Sequence, residues 1–206
     1  MKNTLLVFAL LALFACNNNH APKKEATQTT SSKEIAFKKL IARQKLIDLP
    51  LYFDVDNISD SLTQPNIVDD SDTLLFQPND LSGRLIGLYK DTTNYFLFVG
   101  LVPAAVYFPA IYIFDKQGNE ISFEQLIVWG CGADCGYFCN EKSRLYKDAS
   151  SNNLMFLVRD SVNMYECDSL GKETPGTREH YVKTKLGIID VTGHITTDTI
   201  TQIIKP

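Results

Sequence analysis

Basic residues are in deficit in this 206-residue chain, where 20 Lys and Arg stand against 24 Asp and Glu for a net charge of −4. Gripping a nucleic-acid backbone takes a basic face, so no nucleic acid is expected as a partner. Histidine is nearly absent: of the three, His20 precedes the folded part, His180 sits in a charged segment (Arg178-Glu179-His180) and His194 follows a turn glycine. Catalysis or metal binding by clustered histidines is therefore disfavoured. A phosphate loop, a dinucleotide fingerprint, a G-x-S-x-G elbow and an H-E-x-x-H helix are all missing. Nothing in the sequence implies a cofactor or a metal.

What the sequence does have begins at its amino end. Met1-Lys2-Asn3-Thr4 is a short basic start, and Leu5 to Ala15 is an unbroken apolar run of eleven residues, the layout of an export signal. A membrane-spanning helix needs about 20 residues, so the run reads as a cleaved signal over residues 1–15 and not as an anchor. An ordinary signal-peptidase site wants a small residue at −3, where Leu13 stands. Leu13-Phe14-Ala15-Cys16 instead resembles the lipobox of bacterial lipoproteins, with Phe14 in place of the usual small residue. The chain is similar in this respect to cell-envelope lipoproteins of the Bacteroidota. The resemblance implies a diacylglycerol on the Cys16 sulfur, cleavage before Cys16 and a membrane as partner. Each buried CH₂ contributes about 0.8 kcal/mol, so two or three chains hold where one would not. Asn17-Asn18-Asn19-His20 lacks the Asp that resembles an inner-membrane retention signal and the acidic cluster that resembles a surface-export tag. The expected location is the periplasmic face of the outer membrane, with the cell surface second.

Asn17 to Glu34 holds no large apolar residue and is rich in Thr, Ser, Lys and Asn, so it cannot bury enough surface to offset ordering. Residues 16–34 are expected to form the lipidated Cys and a disordered tether, with an r.m.s. reach of roughly 23 Å. Residues 35–206 are long enough for one core and short for two, so one β-rich domain is expected. Ile35 to Ile47 has a helical period with basic residues between the apolar ones, and a short helix should end before Leu49-Pro50. Its basic side could face anionic lipid, but a helix capping one end of a sheet domain is the preferred reading.

From Leu51 the pattern changes to strands: Leu51 to Val55, Leu74 to Gln77, Leu85 to Tyr89, Tyr95 to Leu101 and Ala110 to Phe114. Tyr95 to Leu101 is apolar on both faces, as a central strand would be. Pro103 and Pro109 place any pairing between them at an edge, or start it after Pro109. Glu120 to Trp129 reads as a strand with Ile121, Phe123, Ile127 and Trp129 on one face. Leu154 to Arg159, Val162 to Cys167, Glu179 to Ile189 and His194 to Ile204 follow. Asp115-x-x-Gly118, Asp168-x-x-Gly171 and Asp190-x-x-Gly193 each read as a hairpin connection, with Asp opening the turn and Gly at positive φ. The expected fold is all-β, an antiparallel meander forming a sandwich or an open barrel behind a short N-terminal helix.

Beyond Cys16, chemistry is concentrated in Trp129 to Cys139, with Cys131, Cys135, Cys139 and, later, Cys167. Three Gly among residues 130–136 argue for a folded-back loop and against a helix. In an exported chain four such cysteines point to two disulfides, with three possible pairings. Cys167 is expected to reach back to one of the other three, through a hairpin. Against this stand a zinc site, for which the paired C-x2-C knuckles are missing, and a thiol nucleophile with His180 or His194 as base and Asp134 as orienter. The acidic groups Asp54, Asp56, Asp60 and Asp69, Asp70, Asp72 lack the pattern of a calcium loop and read as polar turns.

No catalytic signature emerges, so a binding or structural module for a glycan, a peptide or an envelope protein is the expected class. Such a module would show exposed aromatic residues at Tyr107-Phe108 or Tyr137-Phe138. An envelope enzyme built on thiols or on spatially paired carboxylates is the alternative. A carrier of small apolar ligands would instead enclose a cavity among Tyr95 to Leu101 and Tyr112 to Phe114.

Overall fold

The computed structural model describes residues 31–55, 58, 66–67, 75–76, 84–103, 107–128 and 135–204. Cys16, the signal and most of the expected tether lie outside them, as do Cys131, Asp134 and the acidic residues Asp56, Asp60, Asp69, Asp70 and Asp72. In chain order the elements are helix α1 (Ser32–Arg43), β1 (Leu46–Ile47), β2 (Leu51–Asp54), β3 (Asn66–Ile67), β4 (Arg84–Tyr89), β5 (Phe96–Pro103) and β6 (Tyr107–Phe114). They continue with β7 (Glu120–Gln125), β8 (Tyr137–Lys147), β9 (Leu154–Met164), β10 (Glu179–Ile189) and β11 (Ile195–Ile204).

The strands form two sheets, each built mainly on a run of consecutive antiparallel strands as expected, β4 to β7 in one and β8 to β11 in the other. The first runs β1-β4-β5-β6-β7, with β3 also paired to β4; the second runs β11-β10-β9-β8-β2. They stack face to face as a sandwich and do not close into a barrel. Leu97, Val99, Ile111 and Ile113 of the first sheet pack on Leu145, Phe156, Val158 and Ile189 of the second. On the opposite face of the first sheet, Ala36, Phe37 and Leu40 of α1 pack on Leu88, Phe98, Tyr112 and Phe114. The Phe37 ring lies 5.4 Å from those of both Phe96 and Phe114. The first sheet is therefore the middle of three layers, which is why β5 carries apolar residues on both faces. No described helix or strand outside the second sheet belongs to a core cluster on its outer face. No helix among the described residues is long and apolar enough to cross a membrane.

Several boundaries differ from the sequence reading, each for a local reason. The helix starts at Ser32 because the Ser31 hydroxyl accepts the Glu34 N–H at 3.1 Å, the capping arrangement that Ser and Glu make three residues apart. It stops at Arg43, where Gln44 turns extended, and Leu46–Ile47 becomes a strand parallel to β4. Gly87 makes that docking possible: a Cβ there would sit 2.5 Å from the Lys45 carbonyl oxygen. Leu75 and Phe76 form a buried turn, not a strand, with Phe76 against the Tyr112 ring at 5.2 Å.

Pro109 lies inside β6, an interior strand, paired with Leu101. Its carbonyl accepts the Leu126 N–H at 2.8 Å, and the nitrogen and carbonyl of one strand residue point to the same neighbour. The missing N–H thus faces the end of β7, where the ladder has already stopped at Gln125. Along β7, Phe114 pairs with Glu120 and Ile113 with Ser122, leaving Ile121 as a bulge. One extra residue flips the alternation, so Ile121 packs on the inter-sheet core and Phe123 on the helix side. Leu154 to Met164 is a single strand running through Asp160, where the sequence suggested two.

The three Asp-x-x-Gly connections have the expected form, with φ of 84°, 76° and 88° at Gly118, Gly171 and Gly193. Each Asp side chain accepts backbone N–H bonds inside its own turn. A fourth turn, opened by Asp148, puts Asn152 at the left-handed position with φ of 60°. Hydrogen bonds from Ser150 and Ser151 hold the Asp148 carboxyl down at about 2.

Candidate functional site

The strand that carries most of the site, β8, is the one long strand the sequence reading missed. Its residues alternate strictly between the inter-sheet space and the open face, but the inward positions include Glu141 and Ser143, so no apolar stripe marks it. Read outward, β8 presents Phe138, Asn140, Lys142, Arg144 and Tyr146. Across the ladder, Arg144 stands opposite Tyr52 of β2 and Leu157 of β9, and Lys142 stands opposite Asp54 and Arg159.

The Arg144 guanidinium lies over the Tyr146 ring at 4.4 Å and the Tyr52 ring at 5.3 Å. Contact with two ring faces restrains the guanidinium. Beside it, a groove of about 390 Å³ runs along the β2–β8 edge, lined by Tyr52, Phe53, Leu157 and Arg159 among others. Lys142 pairs with Asp54 at 3.5 Å. Neither Arg144 nor Arg159 makes an ion pair or hydrogen bond with another described residue. Two guanidinium groups with unspent N–H donors therefore flank an apolar floor, and Tyr52 above it is 63% exposed. Planar carboxylates meet such groups two bonds at a time.

Further along the same face, Phe138 is 56% exposed and its ring lies 5.8 Å from that of Tyr165, over which Arg178 sits at 5.4 Å. Arg178 is bound to Glu173. Of the two aromatic pairs singled out in the sequence, only Phe138 is an exposed surface residue. Tyr107 is half-buried under the Arg84 guanidinium at 5.0 Å, and Tyr137 turns inward toward Tyr181. Burial, the Tyr181 phenol and the Asp160 and Glu141 carboxylates push the Tyr137 phenol up to about 12.

Behind the open face lies an inward row of charge. Glu141, Asp160 and Lys183 occupy paired positions on β8, β9 and β10, and Glu141 and Asp160 are 0% and 1% exposed. The Glu141 carboxylate accepts the Val128 N–H at 2.8 Å. The Lys185 ammonium donates to the Glu124 carboxylate, to the Gln125 carbonyl at 3.2 Å and to the Ile127 carbonyl at 3.1 Å. Together they hold the end of β7, the segment leading into the cysteine loop. Glu141 and Asp160 are enclosed between the sheets, so they do not form the open pair a glycosidase needs.

Cys135 is bonded to Cys167 with 6.3 Å between the Cα atoms. Cys135 precedes β8 and Cys167 follows β9, so the antiparallel pair brings them together as the hairpin argument expected. Gly136 is required beside it: its φ is 77° and a Cβ would meet the Tyr165 carbonyl oxygen at 2.0 Å. Cys139 is disulfide-bonded as well, to a cysteine outside the described residues. None of the three described cysteines is a thiol, which leaves the zinc and nucleophile readings without a ligand or nucleophile among them.

His180 and His194 stand at opposite ends of β10 and cannot share a site. His180 Nε2 is 3.1 Å from the Ser161 hydroxyl, but no third described residue orients the ring, as a nucleophilic pair requires. His194 closes the Asp190 turn through its backbone. The side chains considered for a carrier cavity, from Tyr95 to Leu101 and Tyr112 to Phe114, make up the two packed cores. No protein-family model matches the chain, and no curated protein or solved structure is significantly similar to it.

Proposed function

We propose that this chain is a lipid-anchored cell-envelope protein whose sandwich binds an acidic glycan on the open face of the second sheet. The observation that carries the binding reading is Arg144, seated over the Tyr52 and Tyr146 rings beside Arg159, with both guanidinium groups unspent. Carboxylates of uronic-acid units would take the guanidinium donors, and the apolar faces of the sugar rings would lie on Tyr52 and Leu157. A flat strand face suits an extended ligand better than a globular one.

The anchoring part rests on the Leu5 to Ala15 run and Cys16, and the Cys135–Cys167 bond fits the oxidising compartments where such bonds persist. Cys16→Ser is expected to move the protein from the membrane fraction to the soluble one, read by immunoblot of fractionated cells. Equal membrane retention of wild type and variant would overturn the anchor.

Affinity electrophoresis of the full chain in detergent, through gels containing polygalacturonate, tests the binding. We expect retardation that weakens with added salt and a Kd about tenfold or more weaker for Arg144→Ala, the value of one lost charge-assisted hydrogen-bond pair. Equal retardation in neutral dextran, or an unchanged Arg144→Ala variant, would refute it.

A further inference from the structure

Three turns meet at the end of the sandwich opposite the disulfide: residues 90–95 between β4 and β5, 148–153 between β8 and β9, and 190–194 between β10 and β11. They enclose a cup of about 110 Å³. Its floor is Tyr89 and Tyr95, whose rings belong to the inter-sheet core with Leu154 and Ile189. The two tyrosines are 6% and 8% exposed. Neither hydroxyl bonds to another described residue. Both line the cup, so the cup is where a partner for them would lie. Burial raises both phenols, that of Tyr95 to about 12, so each keeps its proton at neutral pH.

The walls add groups of matching chemistry. Asn94, Asn152 and Asn153 line the cup, and their side-chain amides, each a donor and an acceptor, are not bonded to other described residues. The charged groups are Asp91, Asp190 and Lys147. Lys147 Nζ is 3.7 Å from Asp91 Oδ2, while Thr93 and Thr192 hydroxyls hold the Asp91 and Asp190 carboxyls below their ordinary range. Two carboxylates against one ammonium repel an anion, and the described residues hold no group of side chains that could bind a metal ion. An apolar ligand would leave the phenols and amides unsatisfied. What remains is a small uncharged molecule that donates and accepts on every side.

We infer that this cup, with Tyr89, Tyr95 and the three asparagines as its hydrogen-bonding groups, binds a single uncharged sugar unit. Its size admits one ring entering by its edge and no longer segment. The site is separate from the Arg144 groove and does not depend on it, because it takes an uncharged ligand at another part of the sandwich.

Saturation-transfer NMR on the full chain in detergent, with the methyl glycosides of glucose, galactose and mannose and with N-acetylglucosamine as probes, tests the inference. At least one probe is expected to receive saturation, competitively with an excess of the same sugar. Tyr95→Phe keeps the ring and removes only the hydroxyl, so it should weaken that probe about tenfold while leaving the melting temperature unchanged or raised. Asn152→Gly, which suits the φ of 60° and removes an amide, should weaken it as well. Arg144→Ala should leave it unaffected, which separates this site from the glycan face. The inference fails if no probe receives saturation, if Tyr95→Phe binds as tightly as wild type, or if Tyr95→Phe melts lower, the mark of a hydroxyl held for structure.

Discussion

The double variant Cys135→Ser/Cys167→Ser is expected to melt about 10 °C below the wild type. The bond closes a loop with a sequence separation of 32, and constraining such a loop in the unfolded chain is worth roughly 3 to 4 kcal/mol. For a domain of this size each kcal/mol moves the melting point by about 2 to 4 °C. The loop also holds the excursion from Tyr165 to Arg178, in which Glu166 N–H bonds to the Thr177 hydroxyl at 3.0 Å and the Asp168 turn is closed by Lys172. Losing the bond should therefore open this excursion to protease before the sheets unfold. Calorimetry and limited proteolysis of the full chain read both effects. A melting point within 2 °C or so of wild type would mean that the ladder between β8 and β9 already holds these ends together.

Lys185→Met is expected to cost about 2 to 3 kcal/mol, a drop of roughly 5 to 10 °C in melting temperature. The Lys185 and Glu124 side chains are 15% and 24% exposed, so the pair is more expensive to break than a surface ion pair and cheaper than a fully enclosed one. Methionine fills the same volume but leaves the Glu124 carboxylate without its cation and the Gln125 and Ile127 carbonyls without their donor. Adding Glu124→Gln to Lys185→Met should recover part of the loss, since the stranded charge is the larger penalty. If the single variant melts with wild type, the ammonium is not what fixes the end of β7.

Much of the framework was legible because it rests on local chemistry. The bounds of β10 follow from its pattern, the three Asp-Gly turns follow from one residue that accepts backbone N–H bonds and one that tolerates positive φ, and Tyr95 to Leu101 announces a strand covered on both sides. The pairing of Cys167 with a cysteine of the loop was foreseeable from hairpin geometry, but its choice of Cys135 was not. The site itself was the illegible part. Its scaffold, β8, reads as polar because Glu141 and Ser143 occupy buried positions, and burying them is tolerable only where another element supplies hydrogen bonds, as the Val128 N–H does for Glu141. The Arg144 stack joins residues 52, 144 and 146, and the tyrosine cup joins turns some hundred residues apart, so no window of sequence contains either.

By itself, then, the sequence determined the all-β class, the turns and the central strand, since each depends on composition or on neighbours a few residues away. Only the tertiary structure decided that α1 packs on the first sheet, that Ile121 bulges and turns Phe123 to the helix side, and that Arg144 meets Tyr52 and Tyr146 while Tyr89 and Tyr95 line one cup. The physical reason is common to all three: whether a side chain meets solvent, a partner or a second layer depends on what long-range strand pairing brings opposite it, and alternation along one strand cannot say which face will be covered.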